Sequence, residues 1–148
     1  MTSGKKYLMH TRLLIVDDSE PVRRGLRTLL QTNPGWEVCA DAADGWTALD
    51  MFKNLRPHAV VLDFQMPGIN GLETARRMLE IDPDVPIVML TQHASPSLEE
   101  HALKIGIRSV VSKMDVLSLI DLLEQLLSPD GSPPRSGGPG NEGPRPSE

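Results

Sequence analysis

Five side chains in this sequence have the types that phosphoryl chemistry needs. They are the adjacent acids Asp17 and Asp18, a third acid at Asp63, the hydroxyl of Thr91 and the amine of Lys113. Three carboxylates gathered without a cation would repel and raise one another's pKa, whereas a hard divalent cation with a preference for oxygen resolves the conflict. Magnesium fits that part: it takes few protein ligands, keeps several waters and leaves coordination positions open to phosphate oxygens. Lys113 adds a second positive point for the same oxygens. A carboxylate can itself act as nucleophile and become an acyl phosphate, with the cation, the lysine and the hydroxyl each stabilising part of the spreading charge. Asp63 is the best placed of the three acids for that role.

What must position these groups is legible in the hydrophobic pattern. Between residues 11 and 127, apolar runs with strand character alternate with segments of helical period, and no hairpin turn joins two adjacent runs. The expected strands are Leu13–Val16, Glu37–Ala40, Ala59–Leu62, Ile87–Leu90 and Ser109–Ser112. Several are apolar throughout, as parallel strands covered on both faces tend to be. Helices are expected to begin near Glu20, Asp44, Gly71, Pro96 and Met114, the first with Val22, Leu26, Leu29 and Leu30 on one face. Ser19 before Pro21 marks a helix start, Asn33-Pro34-Gly35 a stop, and Pro83 and Pro86 bracket a crossover. Right-handed crossovers then give an α/β fold, a doubly wound five-stranded parallel sheet with helices on both faces. Ligands of such sheets bind beyond the carboxyl ends of the strands, and there stand Asp17, Asp18, Asp63, Thr91 and Lys113.

That order of residues, with Asp63 in D-F-Q-M-P-G-I-N-G, resembles the receiver domain of two-component response regulators over residues 11–127. The stretches V-D-D-S-E-P-V-R-R-G-L-R-T-L-L, D-A-A-D-G-W-T-A-L and L-T-Q-H-A are most similar to receivers that precede LuxR-type output domains. The resemblance implies a (βα)5 flavodoxin-like receiver fold. It also implies a phosphoryl group taken onto Asp63 from a phosphohistidine of a sensor histidine kinase or phosphotransfer protein. By the family pattern Asp18, Asp63 and the backbone carbonyl of Gln65 would ligate Mg2+ directly, with Asp17 acting mainly through a coordinated water. Thr91 and Lys113 would hold the phosphoryl oxygens, and a switch would repack the surface around the fourth helix, fifth strand and fifth helix. The sequence departs from the pattern at Val110, where an aromatic usually stands three residues before the lysine, so a differently wired conformational response is expected. Gln92 is bulkier than the small residue often found after the threonine, and with His93 it is positioned to shape access to Asp63.

Each position also has a plainer reading. Asp17, Asp18 and Asp63 are of a type that favours loops and caps, Thr91 could cap the helix at Pro96, and Met66-Pro67-Gly68 serves to turn the chain. Lys113 near a helix start is disfavoured by the dipole, which favours a functional role. An aspartyl-phosphate phosphatase would need D-x-D at the first strand, and a nucleotide-binding flavodoxin-like protein a glycine-rich loop there; the sequence has D-D-S-E. The remaining alternative is a phosphorylation-independent receiver-fold scaffold.

Composition narrows the rest. A net charge of −5 gives no basic footprint, so no direct DNA binding is expected, and two Phe, two Trp and one Tyr leave little for stacking platforms. The single Cys39 is read as a small core residue, and His10, His58, His93 and His101 have no ligand spacing. Neither a signal peptide nor a membrane span is found, so a cytoplasmic location is expected. Residues 1–10 read as an N-terminal extension, and 128–148, with six Pro and five Gly, as a disordered tail. With the sequence ending at Glu148, the reading is a single-domain regulator working through protein contacts with an unknown downstream protein. In the last helix Val116, Ile120, Leu123 and Leu127 are expected to form the core stripe, with Leu119, Leu122 and Leu126 widening it. A homodimer through the 96–127 face is the alternative use of that apolar surface.

Overall fold

A computed structural model describes residues 10–128. In chain order the elements are β1 (Thr11–Val16), α1 (Glu20–Leu30), β2 (Trp36–Ala42), α2 (Gly45–Leu55), β3 (Ala59–Asp63) and α3 (Gly71–Ile81). There follow β4 (Ile87–Thr91), α4 (Pro96–Ile105), β5 (Ser109–Ser112), a 3-10 turn (Lys113–Asp115) and α5 (Ser118–Leu127). The five strands are parallel in the order β2-β1-β3-β4-β5, as expected for the flavodoxin-like receiver fold.

The helices start where local chemistry satisfies their first amides. The side chains of Ser19, Asp44, Asn70 and Ser95 accept from the backbone N–H of Val22, Thr47, Glu73 and Leu98. Such caps are each worth about 1 kcal/mol. Gly106, at φ 117°, ends α4 in the left-handed region that favours glycine. At the end of α2 that conformation falls on Arg56, at φ 46°. There the guanidinium of Arg12 donates to the carbonyls of Leu55 (2.6 Å) and Arg56 (2.9 Å), groups the helix leaves unpaired.

Alternation along the central strands divides the core. Leu14, Val16, Val60, Leu62, Ile87 and Met89 face α2, α3 and α4, packing with Phe52, Met78 and Ala102. Leu13, Ile15, Ala59, Val61, Val88 and Leu90 face α1 and α5, meeting Leu26, Leu30, Leu119 and Leu123. Each buried Leu, Ile or Phe contributes roughly 1.5–3 kcal/mol of transfer free energy, so two apolar faces hold the strand ends in fixed relation.

Several sequence expectations need correction. Strands β1 and β2 are longer than the apolar runs, because paired backbone extends through polar residues such as Asp41. Cys39 is half-buried on the edge strand β2 rather than in the core. The last helix begins at Ser118, not Met114: the Ser112 hydroxyl accepts from the Met114 amide and closes a 3-10 turn first. That offset rotates the core stripe, which is centred on Leu119 and Leu123, with Val116, Ile120 and Leu127 only half-buried. The extension over 1–10 and the tail over 128–148 lie outside the described residues except at His10 and Ser128. Among the described residues no helix is long and apolar enough to cross a membrane.

At the end of the sheet opposite the acids, the Arg12 amide donates to His58 Nδ1 at 2.9 Å, which needs the neutral ring with its proton on Nε2. Partial burial of the otherwise exposed ring first, and the charge of Arg12 second, hold the His58 pKa below its ordinary value. The unfolded chain therefore binds this proton more readily. The contribution to stability is whole above about pH 6.5 and is lost as the pH falls through the lowered folded value. Urea unfolding across this range should show the loss in the wild type and a flatter profile in His58→Phe; parallel profiles would sink the assignment.

Candidate functional site

The site is assembled from strand ends. Asp17 directly follows β1, and its amide continues the ladder by donating to the carbonyl of Ala42 at 3.0 Å. Asp63 and Thr91 are the last residues of β3 and β4, not the first beyond them, because each strand runs one residue past the expected end at Leu62 or Leu90, and Lys113 follows β5. Parallel pairing in register, Val16 with Leu62 and Asp63 with Leu90, sets these ends side by side.

One oxygen from each of Asp17, Asp18 and Asp63 lies within 4.8 Å of the others. Asp17 and Asp63 are buried, while Asp18 is exposed. Lys113 Nζ stands between the two buried acids, 2.9 Å from Asp17 Oδ2 and 3.2 Å from Asp63 Oδ1. The Asp17 carboxylate also accepts from the Ser19 amide through Oδ1 at 2.9 Å. Its Oδ2 meets Lys113 as an ion pair but has no partner in hydrogen-bonding geometry.

Burial raises the Asp63 pKa, and the charge of Asp17 raises it further, against Lys113 and the Gln65 amide, which lower it. Burial pulls Lys113 down, but the neighbouring carboxylates of Asp17 and Asp63 outweigh that, and its pKa is raised. One lysine thus faces three carboxylates, and a buried carboxylate oxygen is left without a proper donor. Hard oxygen donors with excess negative charge and an unsatisfied lone pair are what a divalent cation such as magnesium fits.

Beside these groups opens a cavity of about 300 Å³, lined by Asp18, Ser19, Val22, Asp63, Gln65, Thr91, Gln92 and Lys113. Thr91 Oγ1 accepts from the His93 amide at 3.2 Å and keeps its own proton free to donate. All five candidate side chains and Gln65 are therefore brought together. Gln92, which lines the cavity, and the adjacent His93 are exposed, and Val110 is half-buried on β5 against the core. A larger cavity of about 390 Å³ lies on the far side of Lys113, between α1 and the turn before α5. Its lining of Val22, Gly25, Leu26, Leu29, Leu90, Val116 and Leu117 is apolar, with Lys113 its one charged residue, so the cluster of charges and not the volume marks the site.

Two supporting features escaped the sequence reading. Arg23 Nη1 donates to the Asp17 carbonyl at 2.7 Å. Gly71 packs so closely under β3 that a Cβ there would stand 2.4 Å from the Asp63 carbonyl oxygen. The glycine was visible as the last residue of D-F-Q-M-P-G-I-N-G, but only the packing gives it this meaning.

Comparison with known proteins agrees with this geometry. The family model for the response regulator receiver domain matches residues 13–124. The transcriptional regulatory protein DegU of Brevibacillus brevis is 32% identical over 114 residues, which cover 76% of this chain and 48% of DegU. The chain thus spans about half the length of that relative. The crystal structure of a LuxR-family two-component response regulator from Aurantimonas sp. is 32% identical with a TM-score of 0.77, covering 82% of this chain and 92% of that one. A chain of the CheX-CheY-BeF3-Mg2+ complex from Borrelia burgdorferi is 25% identical with a TM-score of 0.72, covering 76% and 86%.

Proposed function

The chain belongs to the response regulator receiver domain family, and on that premise we propose that it accepts a phosphoryl group on Asp63 from a phosphohistidine of a sensor histidine kinase or phosphotransfer protein, in a Mg2+-dependent step. The observation that carries this reading is the meeting of three carboxylates within 4.8 Å beside a lysine that contacts two of them. Asp17, Asp18, Asp63 and the backbone carbonyl of Gln65 would hold the ion. When bound, it supplies the positive charge that lets the acids and the phosphoryl oxygens share one small space. The similar CheX-CheY complex, which contains Mg2+ and BeF3, supports the same assignment.

Asp63 is the nucleophile: a carboxylate oxygen attacks phosphorus, the P–N bond to the donor imidazole breaks as the O–P bond forms, and the departing ring nitrogen takes a proton from solvent. Lys113, already beside Asp63 Oδ1, holds one phosphoryl oxygen, and the Thr91 hydroxyl donates to another. Burial of Asp63 at the base of an open cavity leaves room for a phosphoryl group while limiting water. Residues 11–127 form the working unit, cytoplasmic as a partner of such donors. Its output is a change of protein contacts at the 96–127 face, where Leu103, Met114 and Leu117 are exposed.

The test is intact mass after incubation with Mg2+ and acetyl phosphate. The wild type should gain one phosphate and Asp63→Asn none. An unmodified wild type would overturn the phosphoacceptor reading and leave the phosphorylation-independent scaffold in its place.

A further inference from the structure

Arg23 lies on α1, one turn in from the acids, and its side chain is largely enclosed, at 17% exposure. Its guanidinium is divided between two elements: Nη1 donates to the Asp17 backbone carbonyl at 2.7 Å and Nε to Asp41 Oδ1 on β2 at 3.2 Å. Asp41 lies next to Ala42, whose carbonyl accepts the Asp17 amide. The peptide groups around Asp17 are therefore held by β2 through the ladder and by α1 through Arg23. Arg27 grips the same carboxylate, with Nη2 2.7 Å from Asp41 Oδ2, but its other bond goes to the Val38 carbonyl at 3.2 Å and not to Asp17. The two arginines share one acid and differ in whether they touch the acidic turn.

We infer that Arg23 is a positioning residue, which clamps the turn carrying Asp17 and Asp18 between α1 and β2 and so fixes the spacing of these acids from Asp63. The planar fork is what makes this possible, since two acceptors on different elements are bonded at once. A lysine keeps the charge but offers a single ammonium point, and it cannot hold the carbonyl and the carboxylate in the same geometry. Groups that orient metal ligands from behind typically alter affinity by about 10- to 100-fold when lost. The inference rests on the phosphoacceptor reading above for its consequence at Mg2+, and its structural half can be read without the ion.

The decisive comparison is Arg23→Met against Arg27→Met, with Arg23→Lys as the charge-retaining variant. All are measured by Mg2+ titration calorimetry at a temperature where circular dichroism reports a folded chain. Arg23→Met should weaken Mg2+ binding about tenfold and Arg23→Lys by less, with Arg27→Met leaving it unchanged. In metal-free protein, amide exchange at Asp17 and Ser19 should quicken about tenfold in Arg23→Met and not in Arg27→Met. Equal Mg2+ affinity and equal exchange in Arg23→Met and the wild type would overturn the clamp, as would an equal effect of Arg27→Met, since that variant loses only the grip on Asp41. If the wild type itself binds no Mg2+, the phosphoacceptor reading fails, and the exchange comparison alone upholds or overturns the clamp.

Discussion

Gly71→Ala should destabilise the protein by about 2 kcal/mol and slow phosphorylation from acetyl phosphate by about 100-fold, although the same substitution stabilises an ordinary helix position. Gly71 is the first residue of α3, and its amide donates to the Phe64 carbonyl at 2.8 Å. A methyl group at this point would meet the Asp63 carbonyl oxygen at 2.4 Å and the Phe64 Cα at 2.9 Å. Both are backbone atoms of the strand end that presents the nucleophile, so no rotamer change relieves the clash. Either α3 lifts from the sheet or Asp63 moves. Gly25 is the internal control: it sits in α1 with nothing within 4 Å of a built Cβ. Gly25→Ala should therefore stabilise by about 1 kcal/mol. Urea unfolding of the two variants, with the phosphorylation rate of Gly71→Ala followed by intact mass, checks both signs. A Gly71→Ala protein as stable and as quickly phosphorylated as the wild type would refute the close-packing account.

The contrast between these two glycines marks where the sequence stops being legible. The strand ends could be read because parallel, doubly covered strands are apolar runs, and the residue that interrupts each run is polar for a reason. Asp17, Asp63, Thr91 and Lys113 stand out that way, and the structure gathers them as expected. The helix starts near Glu20, Asp44, Gly71 and Pro96 were equally visible, and the structure shows the local caps behind them, Ser19, Asp44, Asn70 and Ser95, each a contact between near neighbours. The last helix was misplaced for the same physical reason: Leu117 carries no capping side chain, and Ser112 caps a short turn instead. The apolar residues of Met114–Leu117 continue a helical period that the backbone does not follow; Met114 is 91% and Leu117 75% exposed. Contacts between elements were invisible. Periodicity predicts that α1 covers the sheet, but not that Arg23 crosses to Asp41 while holding the Asp17 carbonyl, or that the Arg12 guanidinium closes the far end of α2. Such bonds depend on crossing angles and register, which no local pattern encodes.

Removing the amine of Lys113 is expected to have the largest effect on stability of any single change at the site. Lys113→Ala should cost about 3 kcal/mol in metal-free protein, because breaking a buried ion pair from one side leaves the other charge uncompensated. Here two such charges remain, Asp17 and Asp63, both nearly inaccessible to solvent. The Asp63 pKa is already raised by burial and by Asp17, and losing Lys113 removes the principal influence that lowers it. A carboxylate whose folded pKa lies above its unfolded value contributes stability at low pH that disappears as the pH rises through the folded value. The penalty of Lys113→Ala should accordingly be larger near about pH 7 than near about pH 4. Asp63→Asn relieves the like-charge repulsion, so adding Lys113→Ala to Asp63→Asn should cost less than Lys113→Ala alone, a coupling of about 1 kcal/mol or more. Mg2+, by supplying the missing positive charge, should restore part of the loss in the single variant and less in the double. Urea unfolding of the four proteins at both pH values, with and without Mg2+, measures every term. If the two substitutions simply add at both pH values, Lys113 is a surface lysine near two acids, and it is not the counter-charge that holds Asp17 and Asp63 side by side.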